Sequence, residues 1–275
     1  MRTFGIIGYP LSHSFSQKYF TEKFEREKLS DCKFLTFPIE DMSNRDFYSL
    51  LEENPDLCGL SVTIPYKEKI IALLDEVDPI ALFEVHAVNC IRVRHDKDFK
   101  GNKVNWSPLA FTEGDNTDTA GFENSLLPLL KPQHTKALIL GSGGAAKAVS
   151  YVLRKLNIEH LIVTRNIIDL KDTRRKFDLL SRIKYQDVDR QIIDSHPLII
   201  NTTPLGMFPN INACPDIPYE FITPKHLLYD LTYNPEESLF LKKGKEKGAQ
   251  IKNGLEMLEL QAEKAWEIWN DTPNP

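Results

Sequence analysis

The sequence predicts an α/β protein built from two successive strand–helix series. Three observations carry this reading. Short apolar runs alternate with amphipathic segments over residues 1–94, and a second such series starts at Lys136. A glycine-rich turn, Gly141-Ser142-Gly143-Gly144-Ala145-Ala146, sits between a strand and a helix of that second series.

Thr3–Gly8 (TFGIIG) reads as the first strand, followed by a Pro- and Ser-rich loop from Tyr9 to Ser16. In Gln17–Lys28, Tyr19, Phe20 and Phe24 recur at helical spacing among charges, which makes a one-faced helix. Lys33–Pro38 is a strand, Phe47–Asn54 a helix, and Leu57–Ile64 a strand stopped by Pro65. Lys67–Leu74 is expected to be a helix and Ala87–Val93 a strand, so this half should form a mostly parallel sheet. Residues 95–116 lack periodicity and read as a hairpin or a long loop near a domain boundary. In the second series Ala137–Leu140 is a strand, and the helix after the glycine turn runs to about Leu156. Leu161–Thr164, Leu198–Asn201 and Leu228–Leu231 are further strands. Glu246–Trp269 reads as one helical stretch, with Leu255, Leu258, Ala262, Ala265, Trp266 and Trp269 on one face.

Composition bounds the function. The chain has 275 residues, enough for one large or two modest domains. Apolar residues make up 41% and charged residues 27%, an ordinary globular balance. Lys plus Arg is 34 against 39 for Asp plus Glu, a net charge of −5, which argues against a nucleic-acid partner. Cys32, Cys58, Cys90 and Cys214 have no CxxC spacing and no His pairs nearby, so they read as buried thiols in a reducing compartment, with no metal expected. The N-terminus lacks a long apolar core and the apolar runs are too short to span a bilayer. A cytoplasmic protein without a membrane partner is expected.

The glycine turn fits GxGxxA. The first glycine makes the tight turn, the second lets backbone approach a pyrophosphate, and Ala146 allows close helix–strand packing. The helix N-terminus attracts the phosphates. Gly141, Gly143, Gly144 and Ala145 are therefore candidate cofactor residues, the other reading being a tight turn that binds nothing. At the end of the next strand the chain reads Val163-Thr164-Arg165-Asn166, with no Asp or Glu to hold a ribose 2′-hydroxyl. Arg165 can pair with a 2′-phosphate and stack on adenine, which favours NADP; otherwise it is a solvated strand-end arginine.

The first half carries a second set of candidates. Gly8–Ser16 gathers Ser12, His13, Ser14 and Ser16, hydroxyls suited to a hydroxylated carboxylate, although Ser14 to Gln17 is also a capping-box pattern. Pro65 fits the start of a helix, which puts Lys67 in its first turn, facing the positive end of the helix dipole. A lysine there gives up its proton more readily, as proton-transfer chemistry requires; the other reading is a surface lysine. Asn116-Thr117-Asp118 precedes a short helix, where Asp118 or Thr117 serves either as an N-cap or in chemistry. Asn89 serves a polar ligand or caps a turn.

These blocks together resemble the shikimate/quinate dehydrogenase family, in order and over nearly the whole chain. GYPLSHSFS (8–16) resembles the family's opening substrate loop, which implies Ser14 and Ser16 as carboxylate contacts. LSVTIPYKE (60–68) resembles the NVTxPxK block, implying Thr63 as a substrate contact and Lys67 as the catalytic lysine. HAVNCI (86–91) carries over Asn89 as a substrate contact, and DNTDTAGF (115–122) implies Asp118 as the partner of Lys67. GSGGAAKAV (141–149) matches the glycine loop, and NTTPLGM (201–207) places Thr202 and Met207 near the cofactor. DLTYNP (230–235) and NGLEMLELQA (253–262) imply Tyr233 and Gln261 as substrate contacts. The chain departs from the family pattern in several places. Ser61 stands for Asn, Gln17 for Pro, Tyr19 for His, His86 for Gly and Cys90 for Thr. Thr164-Arg165-Asn166 replaces Asn-Arg-Thr or Asn-Arg-Ser, and residues 95–114 exceed the usual link.

The resemblance implies an N-terminal α/β substrate domain plus an inserted Rossmann NADP-binding domain, closed by C-terminal helices. Residues 1–116 with 240–275 would form the first and 117–239 the second. It implies reversible, NADPH-dependent reduction of 3-dehydroshikimate to shikimate, on the route to chorismate and the aromatic amino acids. NAD remains open as cofactor, and the chain is expected to be a monomer or a homodimer. Three rival readings stand beside it: a quinate/shikimate dehydrogenase using NAD, an oxidoreductase acting on another hydroxylated acid, and a noncatalytic NADP(H)-sensing module.

Overall fold

The computed structural model describes residues 1–11, 15–95, 110–165 and 181–271. The chain divides into two compact units, residues 1–117 with 262–275 and residues 118–261. The sequence reading draws the second dividing line at 240, whereas the contacts draw it at Gln261.

The first unit contains β1 (Arg2–Gly8), α1 (Phe15–Arg26), β2 (Cys32–Pro38), α2 (Asn44–Glu53), β3 (Leu57–Val62), β4 (Glu76–Val77), β5 (Cys90–Arg94) and β6 (Phe111–Asp115). Its sheet runs β2-β1-β3-β5-β6-β4. β1 is parallel to β2 and β3, but β5 runs antiparallel to both β3 and β6, so the sheet is mixed rather than mostly parallel. Within 95–116, the described residues include β6, which returns beside β5.

Alternation along the strands sends side chains to two cores. Ile7, Leu60, Val62 and Ile91 meet Phe47 and Leu51 of α2, while Phe4, Ile6 and Cys90 meet Phe20, Phe24 and Trp269. Trp269 stacks on Phe4 with centroids 5.2 Å apart and donates its indole N–H to the Ile91 carbonyl at 3.0 Å. α2 starts with a capping box that the sequence reading missed: Ser43 and Asp46 exchange side-chain and backbone hydrogen bonds. The buried Lys23 ammonium pairs with Glu27 at 2.9 Å and Glu263 at 2.8 Å, joining α1 to the C-terminal helix.

The second unit takes most of α3 (Thr117–Leu126), then β7 (Lys136–Leu140), α4 (Gly144–Lys155), β8 (Glu159–Thr164), β9 (Arg182–Lys184), α5 (Arg190–Ser195), β10 (Leu198–Asn201), β11 (Leu227–Asp230), α6 (Leu239–Glu246) and β12 (Gln250–Lys252). α7 (Leu255–Asn270) starts in this unit and ends in the first. The sheet order is β12-β11-β10-β7-β8-β9, parallel at every pairing. Strands such as LIIN are buried throughout because both faces are covered. One face holds Ala137, Ile139 and Ile200 against Val149, Val152 and Phe122; the other holds Leu138, Leu140 and Ile199 against Ile193 and Phe240.

Three expectations need correction. Glu246–Trp269 is not one helix: α6 ends at Glu246, Gly248 turns the chain at φ +78°, and β12 intervenes before α7. Lys67–Leu74 is not an α-helix, because turns run to Glu68 and a 3₁₀ helix covers only Lys69–Leu73. Of the four free thiols, only Cys90 is buried, and the other three are half-buried.

Candidate active site

Among the candidates of the first half, Thr63 and Lys67 follow β3 and Asn89 precedes β5. The Ile7 carbonyl, near the end of β1, accepts the Thr63 N–H at 2.9 Å, and the Thr63 carbonyl accepts the Tyr66 N–H at 3.0 Å. This closes the turn that carries Lys67. Lys67 precedes the 3₁₀ helix instead of sitting in the first turn of a helix. Its carbonyl accepts the Val88 N–H at 2.7 Å. The next residue, Asn89, gives its carbonyl to Val62 N–H at 2.8 Å and takes the Asp115 carbonyl with its own N–H at 3.0 Å. Lys67 and the ends of β3 and β6 are thus held by two consecutive residues.

The Asn89 side chain bonds to the start of α3. Its Oδ1 accepts the Thr117 N–H at 2.7 Å, and its Nδ2 donates to the Thr117 hydroxyl at 3.1 Å. Asn116 supports the same corner by donating its amide to the Ala87 carbonyl at 2.8 Å. Asp118 follows inside the first helical turn, a position where the dipole favours a carboxylate. The bonds of Asn89 to Thr117 fit its reading as a capping residue, whereas the role of Asn116 was not read from the sequence. The local signal was the pair of Asn residues flanking strand ends.

Ser16 is buried in the first turn of α1, while Ser12, His13 and Ser14, with the capping-box reading of Ser14, lie outside the described residues. His86 adopts a left-handed backbone (φ +54°, ψ +40°) at the end of a π-helical turn, Ile80–Val85. That conformation accounts for a glycine as the family's usual residue there. Ser61 and Cys90, two further departures, are direct partners across β3 and β5. Burial pushes the Cys90 thiol well up, and the neighbouring Asp115 carboxylate adds to this.

The cofactor candidates lie at the carboxyl edge of the parallel sheet. From β7 the chain winds outward through β8 and β9, then returns to the other side of β7 for β10, β11 and β12. The crevice between β7 and β10 is therefore the switch point, where ligands bind in open α/β sheets. Gly141 leaves β7 at φ +111°, and a Cβ there would lie 2.7 Å from the Thr202 hydroxyl. Only glycine fits. Around Gly143 and Gly144 an added Cβ would meet nothing within 4 Å, so open space lies over the loop. Gly143 is the N-cap of α4 and makes no side-chain cap bond. The first N–H groups of this helix face that space, with Ala145 in the first turn, an arrangement that fits a pyrophosphate.

Ser142 ties the glycine loop to the end of β8, its hydroxyl 3.2 Å from that of Thr164. Arg165 follows, exposed. Tyr185 lies close enough to sense it: burial pushes the Tyr185 hydroxyl up to about 12, and the Arg165 charge pulls the other way. Thr202 leaves β10 with its N–H and hydroxyl both on the Leu140 carbonyl, at 3.0 and 2.8 Å. Met207 stands exposed on the same loop. Tyr233 is half-buried on the loop after β11, and burial raises its hydroxyl. Gln261 is brought close to α3 by Gly121, where a Cβ would lie 2.9 Å from the Gln261 Cβ and 2.5 Å from the Met257 carbonyl.

A doubly wound parallel sheet with an open glycine loop, in one chain with an α/β unit built around a lysine turn, defines a nicotinamide-dinucleotide oxidoreductase. The comparisons make this specific. The family model of the shikimate dehydrogenase substrate binding domain matches residues 6–91. A shikimate dehydrogenase (NADP(+)) of Carboxydothermus hydrogenoformans is 37% identical over 278 residues, covering 98% of this chain and 92% of its own. The crystal structure of shikimate dehydrogenase 1 from Peptoclostridium difficile superposes with a TM-score of 0.78 at 32% identity, covering 100% of this chain and 94% of its own. Shikimate 5-dehydrogenase from Thermus thermophilus, in complex with NADP(H) and shikimate, gives 0.77 at 27% identity, covering 100% and 96%. The chain belongs to the shikimate dehydrogenase family.

Proposed function

We propose that this protein catalyses the reversible, NADPH-dependent reduction of 3-dehydroshikimate to shikimate. The observation that carries the reading is the double anchor at residues 88 and 89, which holds the Lys67 turn and the start of the helix bearing Asp118. Bound NADPH supplies the hydride for the carbonyl carbon. Lys67, as an ammonium, gives a proton to the carbonyl oxygen as negative charge builds there, and takes it back in the reverse direction. Asp118 orients Lys67 and accepts hydrogen bonds from substrate hydroxyls. Ser14, Ser16, Thr63, Asn89, Tyr233 and Gln261 contact the substrate, the two serines at its carboxylate. Gly141, Gly143, Gly144 and Ala145 hold the pyrophosphate, Arg165 the 2′-phosphate, and Thr202 and Met207 the nicotinamide end. The protein works on small molecules in the cytoplasm, as a monomer or homodimer, in the supply of chorismate.

The test is direct. Purified protein is mixed with shikimate and NADP, then with shikimate and NAD, and reduced nicotinamide is followed by absorbance. Prompt reduction with NADP is expected. Reduction with NAD alone would overturn the role given to Arg165. No reduction with either, from folded protein that binds the dinucleotide, would overturn the activity.

A further inference from the structure

Two loops that the reading above assigns to different ligands share one buried carboxylate. Asp230 ends β11 directly beside Asn201, which ends β10, and both are fully buried. Asp230 Oδ1 accepts the Asn201 amide at 3.0 Å and the Thr232 N–H at 3.0 Å. Its Oδ2 accepts the hydroxyl of Ser238, which caps α6. Asn201 passes the constraint on, its Oδ1 accepting the Thr203 N–H at 3.0 Å and the Thr203 hydroxyl at 2.6 Å. Thr202 is therefore bracketed by two tied residues, and Tyr233 directly follows a third. The loops are also joined by Phe208 N–H to the Asn234 carbonyl at 3.0 Å.

We propose that Asp230 is a positioning residue, which sets the Thr202–Met207 loop and Tyr233 in one fixed relation through Asn201, Thr232 and Ser238. It touches neither ligand. A carboxylate suits this place because all of its partners are donors, and its lone pairs can serve three of them at once. Isolating a carboxyl from water is costly, and burial holds its acidity near pH 6 against the pull of those hydrogen bonds. Packing alone would be served better by an apolar side chain.

The proposal rests on the assignment of Thr202 and Met207 to the cofactor and Tyr233 to the substrate, so the experiment tests both. Kinetics are measured per folded molecule for Asp230→Ala, Asp230→Asn and Tyr233→Phe. Asp230→Ala is expected to lower kcat/KM about 100-fold and to raise KM for both shikimate and NADP, as misplaced groups do. Asp230→Asn is expected to recover most of the loss, because its amide oxygen can still accept from Asn201 and Thr232. An Asp230→Ala protein with a lowered melting temperature and unchanged kinetic constants would overturn the positioning role. If it does not fold, Asn201→Ala cuts the link from Asp230 to Thr203 and leaves Thr232 and Ser238 on the carboxylate, so it should raise KM for NADP more than for shikimate; equal or absent effects would overturn the role as well. Unchanged shikimate kinetics in Tyr233→Phe would remove the assignment of Tyr233, and the proposal with it.

Discussion

Asn89 holds Thr117 by two hydrogen bonds, accepting its N–H at 2.7 Å and donating to its hydroxyl at 3.1 Å. One side chain at the head of β5 thereby decides where α3 begins, and so where Asp118 sits. Asn89→Ala leaves the Thr117 N–H buried without that acceptor. The expected cost is about 1–3 kcal/mol of stability, measured by urea denaturation. Turnover should fall further than the folded fraction does. A loss of stability with full turnover per folded molecule would show that the anchor serves the fold alone.

Lys67→Ala should lower kcat by about 10²–10⁴-fold while leaving NADPH affinity within a few-fold of the parent. Steady-state rates with a fluorescence titration of NADPH separate the two effects. Near-normal turnover would remove Lys67 from the chemistry.

Asp118→Asn keeps the shape of the first turn of α3 but loses the charge. Slow turnover is expected, with a loss of about 0.3–1 kcal/mol of helix stability from the dipole. If the melting temperature moves and the rate does not, Asp118 is a helix-terminal charge and nothing more.

Arg165→Ala should weaken NADP about 10- to 100-fold and leave NAD nearly unchanged, the scale of losing hydrogen bonds to a charged group. Comparing KM for the two dinucleotides checks it. Equal losses for both would mean that Arg165 stacks on adenine rather than reading a phosphate.

Asp230 also predicts a pH dependence. Burial holds its carboxyl at about 6 in the folded protein, above its range in an unfolded chain. The folded state therefore keeps the proton more tightly. This contribution to stability is fully present below about pH 4, and is lost as the pH rises through about 6. The loss amounts to about 3 kcal/mol at neutral pH. Asp230→Asn removes the titration, so the stability difference between parent and variant should change over that window and be flat outside it. A constant difference from pH 4 to 7 would count against a raised acidity at this position.

Much of the fold was legible because its strands are short runs of apolar, β-branched residues and its glycine turn has a fixed pattern. β1, β7 and β10 emerge within a residue or so of where the periodicity places them. What escaped had no periodicity to show. β4 is two residues long, and the π-helical turn Ile80–Val85 has no spacing that a helical pattern would match. β12 carries a single apolar residue, Ile251, between Gln250 and Lys252, so it merged into the polar run around it. Gly248 and Gly254 were the signals on either side. Lys67 and Asp118 are candidates that residue type and pattern suggest, but the way Val88 holds the Lys67 backbone and Asn89 that of Thr117 is not readable from them. Backbone bonds between distant loops leave no mark on residue type. The helix expected to start around Lys67 starts two residues later, as a 3₁₀ helix.

Among the described residues, the second sheet ends on both sides in a strand of three residues, β9 (Arg182–Lys184) and β12 (Gln250–Lys252). Its interior strands are rich in buried apolar residues and would be hazardous if exposed. The outermost rows are short and carry Arg182, Lys184 and Lys252. A foreign strand arriving at either border finds few backbone groups to pair with and a cation to desolvate, which is how natural sheets resist edge-to-edge aggregation. The shortness that hid β12 from a sequence reading is thus also what guards this unit against self-association.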